Sequence, residues 1–279
     1  MDINFYKIQF AKNDLIVANF LHSPPPGEEE KQQLSYIMCK RHSGIGGNGL
    51  IFLLPGKNHT LKIELFRPSG EKDSLLFDGL FCSGRFAFDF GLVENETITI
   101  ESGESTYKLT VIDSNNLQIN IGKPFFMNSG EELKEEPDKD YNTIIAVENK
   151  RYAITPIQLA GRNFGIHFPG EFNKNTLKDL SLSITEMTKG EESFQPVFSQ
   201  IFSREEMSTT VWMNKKRIDF CSAAGAACIA SVINGFSERE VLLHMNGEDL
   251  FIQWNNYTNN LLVTGTPKYV FAGTYYTEI

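Results

Sequence analysis

Arg41-His42-Ser43-Gly44-Ile45-Gly46-Gly47-Asn48-Gly49-Leu50-Ile51 is the stretch that decides which fold this 279-residue chain can adopt. Residues 44–49 satisfy the pattern G-x-G-x-x-G of a dinucleotide-binding turn. That pattern works only where a strand enters it and a helix leaves it, because the pyrophosphate rests on the amides of the helix N-terminus. Here the order is reversed. Residues 28–41 begin with three glutamates and place Leu34, Ile37, Met38 and Arg41 at helical spacing, with Lys40 near the end, as the helix dipole favours. Residues 50–54 are an apolar run of strand length. A helix therefore precedes the glycines and a strand follows. The glycines serve backbone geometry, with Gly44 closing the helix, and nucleotide binding at this turn is rejected.

Outward from this stretch the chain alternates strands with few helices. Ser23-Pro24-Pro25-Pro26-Gly27 is a surface loop. Residues 61–66, 97–101, 107–112 and 117–121 alternate or run apolar between turn residues, as strands do. Residues 79–90 read as a buried central helix. The acidic stretch 128–142 separates two halves. The second half repeats the plan of the first, with strands over 143–168, a helix near 172–180, more strands, and a small-residue helix over 223–234 ended by Gly235. Residues 245–248, Met-Asn-Gly-Glu between two apolar runs, signal a hairpin.

Composition sets bounds on function. With 41% hydrophobic and 12% aromatic residues, the chain can fill two ordinary cores. Its net charge of −9 disfavours nucleic acid and anionic membrane surfaces as partners. No signal pattern and no bilayer-length apolar run stand out, so a cytoplasmic location is expected. Cys39, Cys82, Cys221 and Cys228 form neither a disulfide framework nor a zinc ribbon and read as reduced, mostly buried thiols. The five histidines have no metal-ligand spacing, so neither a metal nor a cofactor is expected. Isolated His167 reads as a core residue, Trp212 and Trp254 as core or interface residues, and the glutamate runs as solvated surface.

Several segments together resemble one family. Phe5-Tyr6-Lys7-Ile8 with Asn13-Asp14, the 41–51 stretch, residues 66–93 without a gap, Gly122-Lys123-Pro124, Asn163, and Thr264-Gly265-Thr266-Pro267 with Val270, Phe271 and Gly273 are similar, in order, to the diaminopimelate epimerases. The resemblance covers nearly the whole chain. It implies an α+β fold of two similar domains, each a strand-rich shell around a central helix. The first would be 1–127, completed by the closing strand 268–279, and the second 140–267. It also implies a cofactor-independent, PLP-independent isomerase of lysine and peptidoglycan precursor metabolism, with a small amino-acid-like ligand in an inter-domain cleft. A homodimer is a further expectation.

The chemistry implied by the family is not matched by the residues. A two-base epimerase needs two thiols on opposite faces of an α-carbon, each at a helix N-terminus whose amides lower the thiol pKa and hold the substrate carboxylate. The resemblance puts those thiols at Leu76 and Ser222. Leu76 cannot ionise, and a serine without a base partner is far too weak an acid. Phe77 and Asp78 stand where glycine and asparagine are expected, and Met213-Asn214 where the family has a Glu-Arg pair. Arg67 replaces one expected asparagine and Ser181 or Ser183 another. Asn13 and Asn163 are the substrate-gripping side chains that remain. The candidate ligand-binding residues are thus Asn13, Arg67, Asp78, Gly79, Asn163, Ala223 and Ala224, with Cys221 a surrogate for the second thiol and Cys82 a core residue. Asp78 and Ser222 are expected to cap their own helices. This pattern describes a non-catalytic binding or regulatory homologue. The alternative is an active amino-acid epimerase or isomerase with a shifted or altered site.

Overall fold

The structure, a computed structural model, describes residues 2–57, 60–73, 77–93, 96–126, 131–134, 140–147, 149–170, 173–186, 194–212 and 219–277. The chain forms two compact units, Met1–Ile119 with Gly265–Ile279, and Asn120–Thr264. The division falls ahead of the acidic stretch, so those residues count with the second unit.

The first unit contains β1 (Asp2–Phe10), β2 (Asn13–Asn19), α1 (Glu28–Met38), β3 (Gly49–Leu54), β4 (Leu61–Phe66), α2 (Phe77–Asp89), β5 (Thr97–Ser102), β6 (Ser105–Val111) and β7 (Leu117–Asn120). β1 and β2 form an antiparallel hairpin closed at Phe10↔Asn13, with Ala11 and Lys12 both at positive φ. β2 runs parallel to β3, β3 antiparallel to β4, and β4 parallel to β5; β5, β6 and β7 then pair antiparallel. The two parallel pairs are where α1 and α2 cross over, since parallel strands need a long connection. α2 packs against β1, β2, β4, β5 and β6, and α1 against β3 and β4. Leu34, Met38 and Cys39 build a second core with Ile16, Leu50 and Phe52. Covered on both faces, β3 reads Gly-Leu-Ile-Phe-Leu-Leu and is buried at every position.

α1 ends at Met38, three residues short of the expected 41, because the chain folds back beneath its last turn. The Gly46 amide donates to the Met38 carbonyl and the Gly47 amide to that of Cys39. A Cβ at Gly44 would lie 2.2 Å from the Ile37 carbonyl oxygen, so this approach requires glycine.

The second unit repeats the plan with β8 (Pro124–Phe125), β9 (Thr143–Val147), β10 (Lys150–Leu159), β11 (Arg162–His167), α3 (Lys174–Glu186), β12 (Gln195–Ser203), β13 (Glu206–Val211), α4 (Phe220–Ile233), β14 (Glu240–Met245), β15 (Glu248–Trp254) and β16 (Leu261–Gly265). β17 (Lys268–Tyr276) returns to the first unit and pairs antiparallel with β1. Parallel pairs β11–β12 and β13–β14 again accommodate the helices. α4 contacts β10 through β15, and α3 packs on β9 and β12 with Leu177, Leu180 and Ile184 against Phe194 and Phe198. Trp212 joins this outer core, and Trp254 is fully buried. Asn246 and Gly247, both at positive φ, close the β14–β15 hairpin. α3 begins later and runs longer than the 172–180 expected, and α4 begins at Phe220, three residues earlier. Among the described residues, no helix is long and apolar enough to cross a membrane.

Candidate active site

In the first unit the expected thiol position, Leu76, lies outside the described residues. Phe77 opens α2, its ring edge-on to Tyr107 at 6.0 Å. Asp78 and Gly79 follow in the first turn, both buried. Asp78 is therefore the second residue of the helix, two positions past the place of a cap. The Asn13 amide donates to the Asp78 carboxylate at 2.5 Å. The Asn13 carbonyl oxygen accepts from Asn48 at 3.1 Å, and the Asn48 oxygen accepts from Arg41 at 2.8 Å. Arg41 also forks onto both Asp14 oxygens at 2.8 Å, while Lys7 pairs with Asp14 at 2.8 Å and donates to the Gly46 carbonyl.

The glycine-rich turn that decided the fold thus positions a polar network reaching from β1 to α2. Burial opposes ionisation of Asp14, but hydrogen bonds and charge from Arg41 and Lys7 outweigh it and hold the carboxyl below its usual range. Arg41 is raised by the same partner. The sequence reading used Arg41 only as a helix-end cation and did not assign roles to Lys7, Asp14 or Asn48. No spacing rule links residues this far apart in the chain.

Arg67 is not part of this network. It lies just beyond β4, half-exposed, with its guanidinium on Asp73 at 2.8 Å and Glu71 at 3.5 Å. Those contacts fasten its own loop.

In the second unit Ser222 and its neighbours Cys221, Ala223 and Ala224 lie in the first turns of α4, all buried. Ser222 does not cap this helix. The N-cap is Asp219, whose Oδ1 accepts from the Ser222 amide at 3.2 Å. A cap accepts from the amide two or three residues ahead, so Asp219 is in register to serve Ser222 and Ser222 is already inside the helix. The Ser222 hydroxyl is buried and has no hydrogen-bond partner among the described residues. Asn163 lies in β11 opposite Gln158. Ser181 and Ser183 donate to the carbonyls of Lys178 and Asp179 within α3. Met213 and Asn214 lie outside the described residues.

All four cysteines are buried, and none is in a disulfide. Burial pushes the Cys228 thiol up to about 12. The Cys82 thiol faces the Ile8 carbonyl at 3.8 Å. His167 donates or accepts at the Ala153 carbonyl, 2.9 Å away, between the rings of Tyr152 and Phe198, and burial lowers its pKa.

Two units, each with an inner helix wrapped by strands, define the diaminopimelate epimerase-like fold, which this chain shares with solved epimerases, racemases and PhzF-family proteins. A Bacillus anthracis phenazine biosynthesis protein of the PhzF family matches with a TM-score of 0.65 at 13% identity, covering 99% of both chains. A hydroxyproline epimerase from Agrobacterium vitis, solved with trans-4-hydroxy-L-proline, gives 0.64 at 11% identity, over 98% of this chain and 92% of that one. In sequence the chain is similar, over nearly all of its residues, to proteins named diaminopimelate epimerase. The Desulforapulum autotrophicum enzyme is 23% identical, over 98% of this chain and 99% of the relative. That of Bacillus velezensis is 27% identical, over 98% of each. No protein-family model matches the chain.

Proposed function

We propose that this chain is a non-catalytic relative of the diaminopimelate epimerases, a binding or regulatory homologue without the two-thiol chemistry. One observation carries the reading. Each inner helix begins beside a buried carboxylate of the chain itself, Asp78 in the first turn of α2 and Asp219 at the N-cap of α4. Asp78 takes the Asn13 amide and Asp219 takes the Ser222 amide. These are donors of the kind the family resemblance assigns to a substrate. Ser222 adds to this, because a serine hydroxyl needs a base to transfer protons near neutrality and its Oγ has no hydrogen-bond partner among the described residues.

Incubation of the purified protein with diaminopimelate in heavy water tests the reading. No loss of the α-proton signal beyond a heat-killed control is expected. The double variant Leu76→Cys with Ser222→Cys should also stay inactive, since thiols alone do not restore the engaged donors, and misplacement by about 1 Å already costs on the order of a hundredfold. Steady deuterium incorporation by the native protein, abolished by thiol alkylation, would overturn the proposal. Racemisation by the double variant alone would mean that the substrate grip is intact, and a bound amino acid would then be the better reading.

A second reading keeps an enzyme, an isomerase of another small acid using Cys221. The Cys221 sulfur lies within 4.8 Å of an Asp219 carboxylate oxygen, the observation in its favour. Proton exchange from any small acid that disappears in Cys221→Ser would support it.

A further inference from the structure

In β14 and β15 successive side chains point to opposite faces of the sheet. Val241, Leu243, Leu250 and Ile252 are fully buried on the face that α4 covers. A half-solvated antiparallel sheet ordinarily carries polar residues on its other face. Here that face carries Leu242, 38% exposed, directly opposite Phe251, 43% exposed. Phe202, 54% exposed, lies beside His244 of the same face at 6.2 Å. Leu242 and Phe251 line a groove of about 610 Å³ whose walls also include Glu205, Glu238, Glu240 and Asn256. The loop that brings Asn256 is tied by its own side chains. The Asn255 oxygen accepts from the amides of Tyr257 and Thr258 at 2.9 Å, and the Trp254 indole donates to Asn259 at 2.9 Å. This loop holds Tyr257 outward, 97% exposed. Further carboxylates border the apolar pair, with Glu206 opposite Leu242 across β13–β14 and Asp249 opposite His244 across β14–β15. The nearby arginines are engaged, Arg204 on Glu238 at 2.6 Å and Arg239 over the Trp254 ring at 4.1 Å. No lysine occurs between residues 217 and 267.

We infer that this face of the second unit docks a basic amphipathic helix of another protein. Its apolar side chains enter the groove over Leu242 and Phe251, and its lysines or arginines meet the surrounding carboxylates. Charge complementarity selects this occupant. Nucleic acid and anionic membranes are repelled by these carboxylates, and a second copy presenting the same face would set like charges against one another. β14 and β15 are each paired on both sides, so they offer no free main-chain edge and exclude strand addition. The occupant must bind through side chains, as the apolar stripe of a helix does. An apolar centre within a polar rim is also the usual anatomy of a protein interface. The contact holds whether or not the inner helices support catalysis.

The test titrates the full chain into a fluorescently labelled helical peptide with leucines along one face and lysines along the other. Binding with a Kd below about 100 μM is expected, weakening as salt rises. The same peptide with glutamates in place of the lysines should not bind. Leu242→Ser with Phe251→Ser should weaken the Kd by about tenfold or more, and so should Glu205→Gln with Glu240→Gln. Urea midpoints check that both variants fold. Glu29→Gln with Glu104→Gln removes two exposed carboxylates of the first unit and should leave the Kd unchanged, which separates this face from general attraction to an acidic chain. Absence of binding at about 100 μM would overturn the inference. So would an equal loss in the first-unit variant, or equal binding of the glutamate peptide. Self-association of the native chain that Leu242→Ser with Phe251→Ser abolishes would make the occupant a second copy and overturn it as well.

Discussion

Asp219 and Ser222 show how much a three-residue shift in a helix start changes the meaning of a side chain. Serine, aspartate and asparagine are all good caps, and the sequence around Phe220-Cys221-Ser222 offers two of them. With Asp219 as the cap, Ser222 becomes the residue whose amide is capped, and its hydroxyl enters the interior with no hydrogen-bond partner among the described residues. The consequence is an inverted pair of stabilities. Asp219→Ala should lower stability by about 1 kcal/mol, within a range of about 0.5–2 kcal/mol. Ser222→Ala should be neutral or stabilising, because it removes a buried hydroxyl with no such partner, a group whose burial costs roughly 1–3 kcal/mol. Urea midpoints of the two variants decide this, and the reverse order would make Ser222 the true cap. The signal for the right answer was present in the sequence, an aspartate directly before the small-residue helix. Family alignment drew attention to position 222 instead.

At the scale of elements, the two inner helices follow different packing rules. α2 carries Leu80, Phe81 and Phe86 into its shell and admits one close neighbour at Gly84, where a Cβ would lie 2.9 Å from Leu109. Of the 14 residues of α4, 10 are Ala, Gly, Ser or Cys, and it is buried nearly all round, so its shell closes tightly. A Cβ at Gly225 would lie 2.2 Å from Leu261 and 3.0 Å from Ile121 and Leu159. Gly225→Ala gains helix propensity of about 1 kcal/mol, but overpacking a filled core costs about 1–3 kcal/mol. The core term should win, giving a net loss on the order of 1 kcal/mol in urea unfolding. A stabilised variant would mean that the shell around α4 yields. Strand and helix identity was legible because each has its own hydrophobic period, and the β14–β15 hairpin was legible from Asn246-Gly247. Helix ends were less so. The stop of α1 at Met38 depends on Gly46 and Gly47 returning to its last carbonyls, a contact that no local pattern announces.

Across the whole molecule, acidic residues outnumber basic ones, and the structure places several of the surplus carboxylates against cations. Asp14 lies against Lys7 and Arg41, and Glu64 against Lys31 at 2.6 Å and Lys72 at 3.3 Å. For both carboxyls burial is the largest influence and opposes charge, yet their cationic partners together prevail and lower the pKa. A lowered carboxyl contributes stability that is complete above its unfolded pKa of about 4 and is lost as pH falls through the lower folded value. His244 behaves in the opposite sense. Hydrogen bonds that its ring donates to Glu206 at 2.9 Å and Asp249 at 2.7 Å raise its pKa, so its contribution is complete below about pH 6.5 and is lost as pH rises through the raised value. Stability should therefore be highest between about pH 5 and 6.5, falling below by the larger amount because Asp14 and Glu64 are better shielded than the partly exposed His244. Urea midpoints measured against pH read this directly. His244→Gln should flatten the decline above about pH 6.5 and leave the acid limb unchanged, whereas Lys31→Met should shift the acid limb alone. An alkaline decline that persists in His244→Gln would place the responsible group elsewhere. Net charge was evident from composition, but which carboxylates hold which cations was not, because each pair is assembled by strands and turns distant in sequence. That is also why the Lys7-Asp14-Arg41 network around the glycine-rich turn emerged only with the fold.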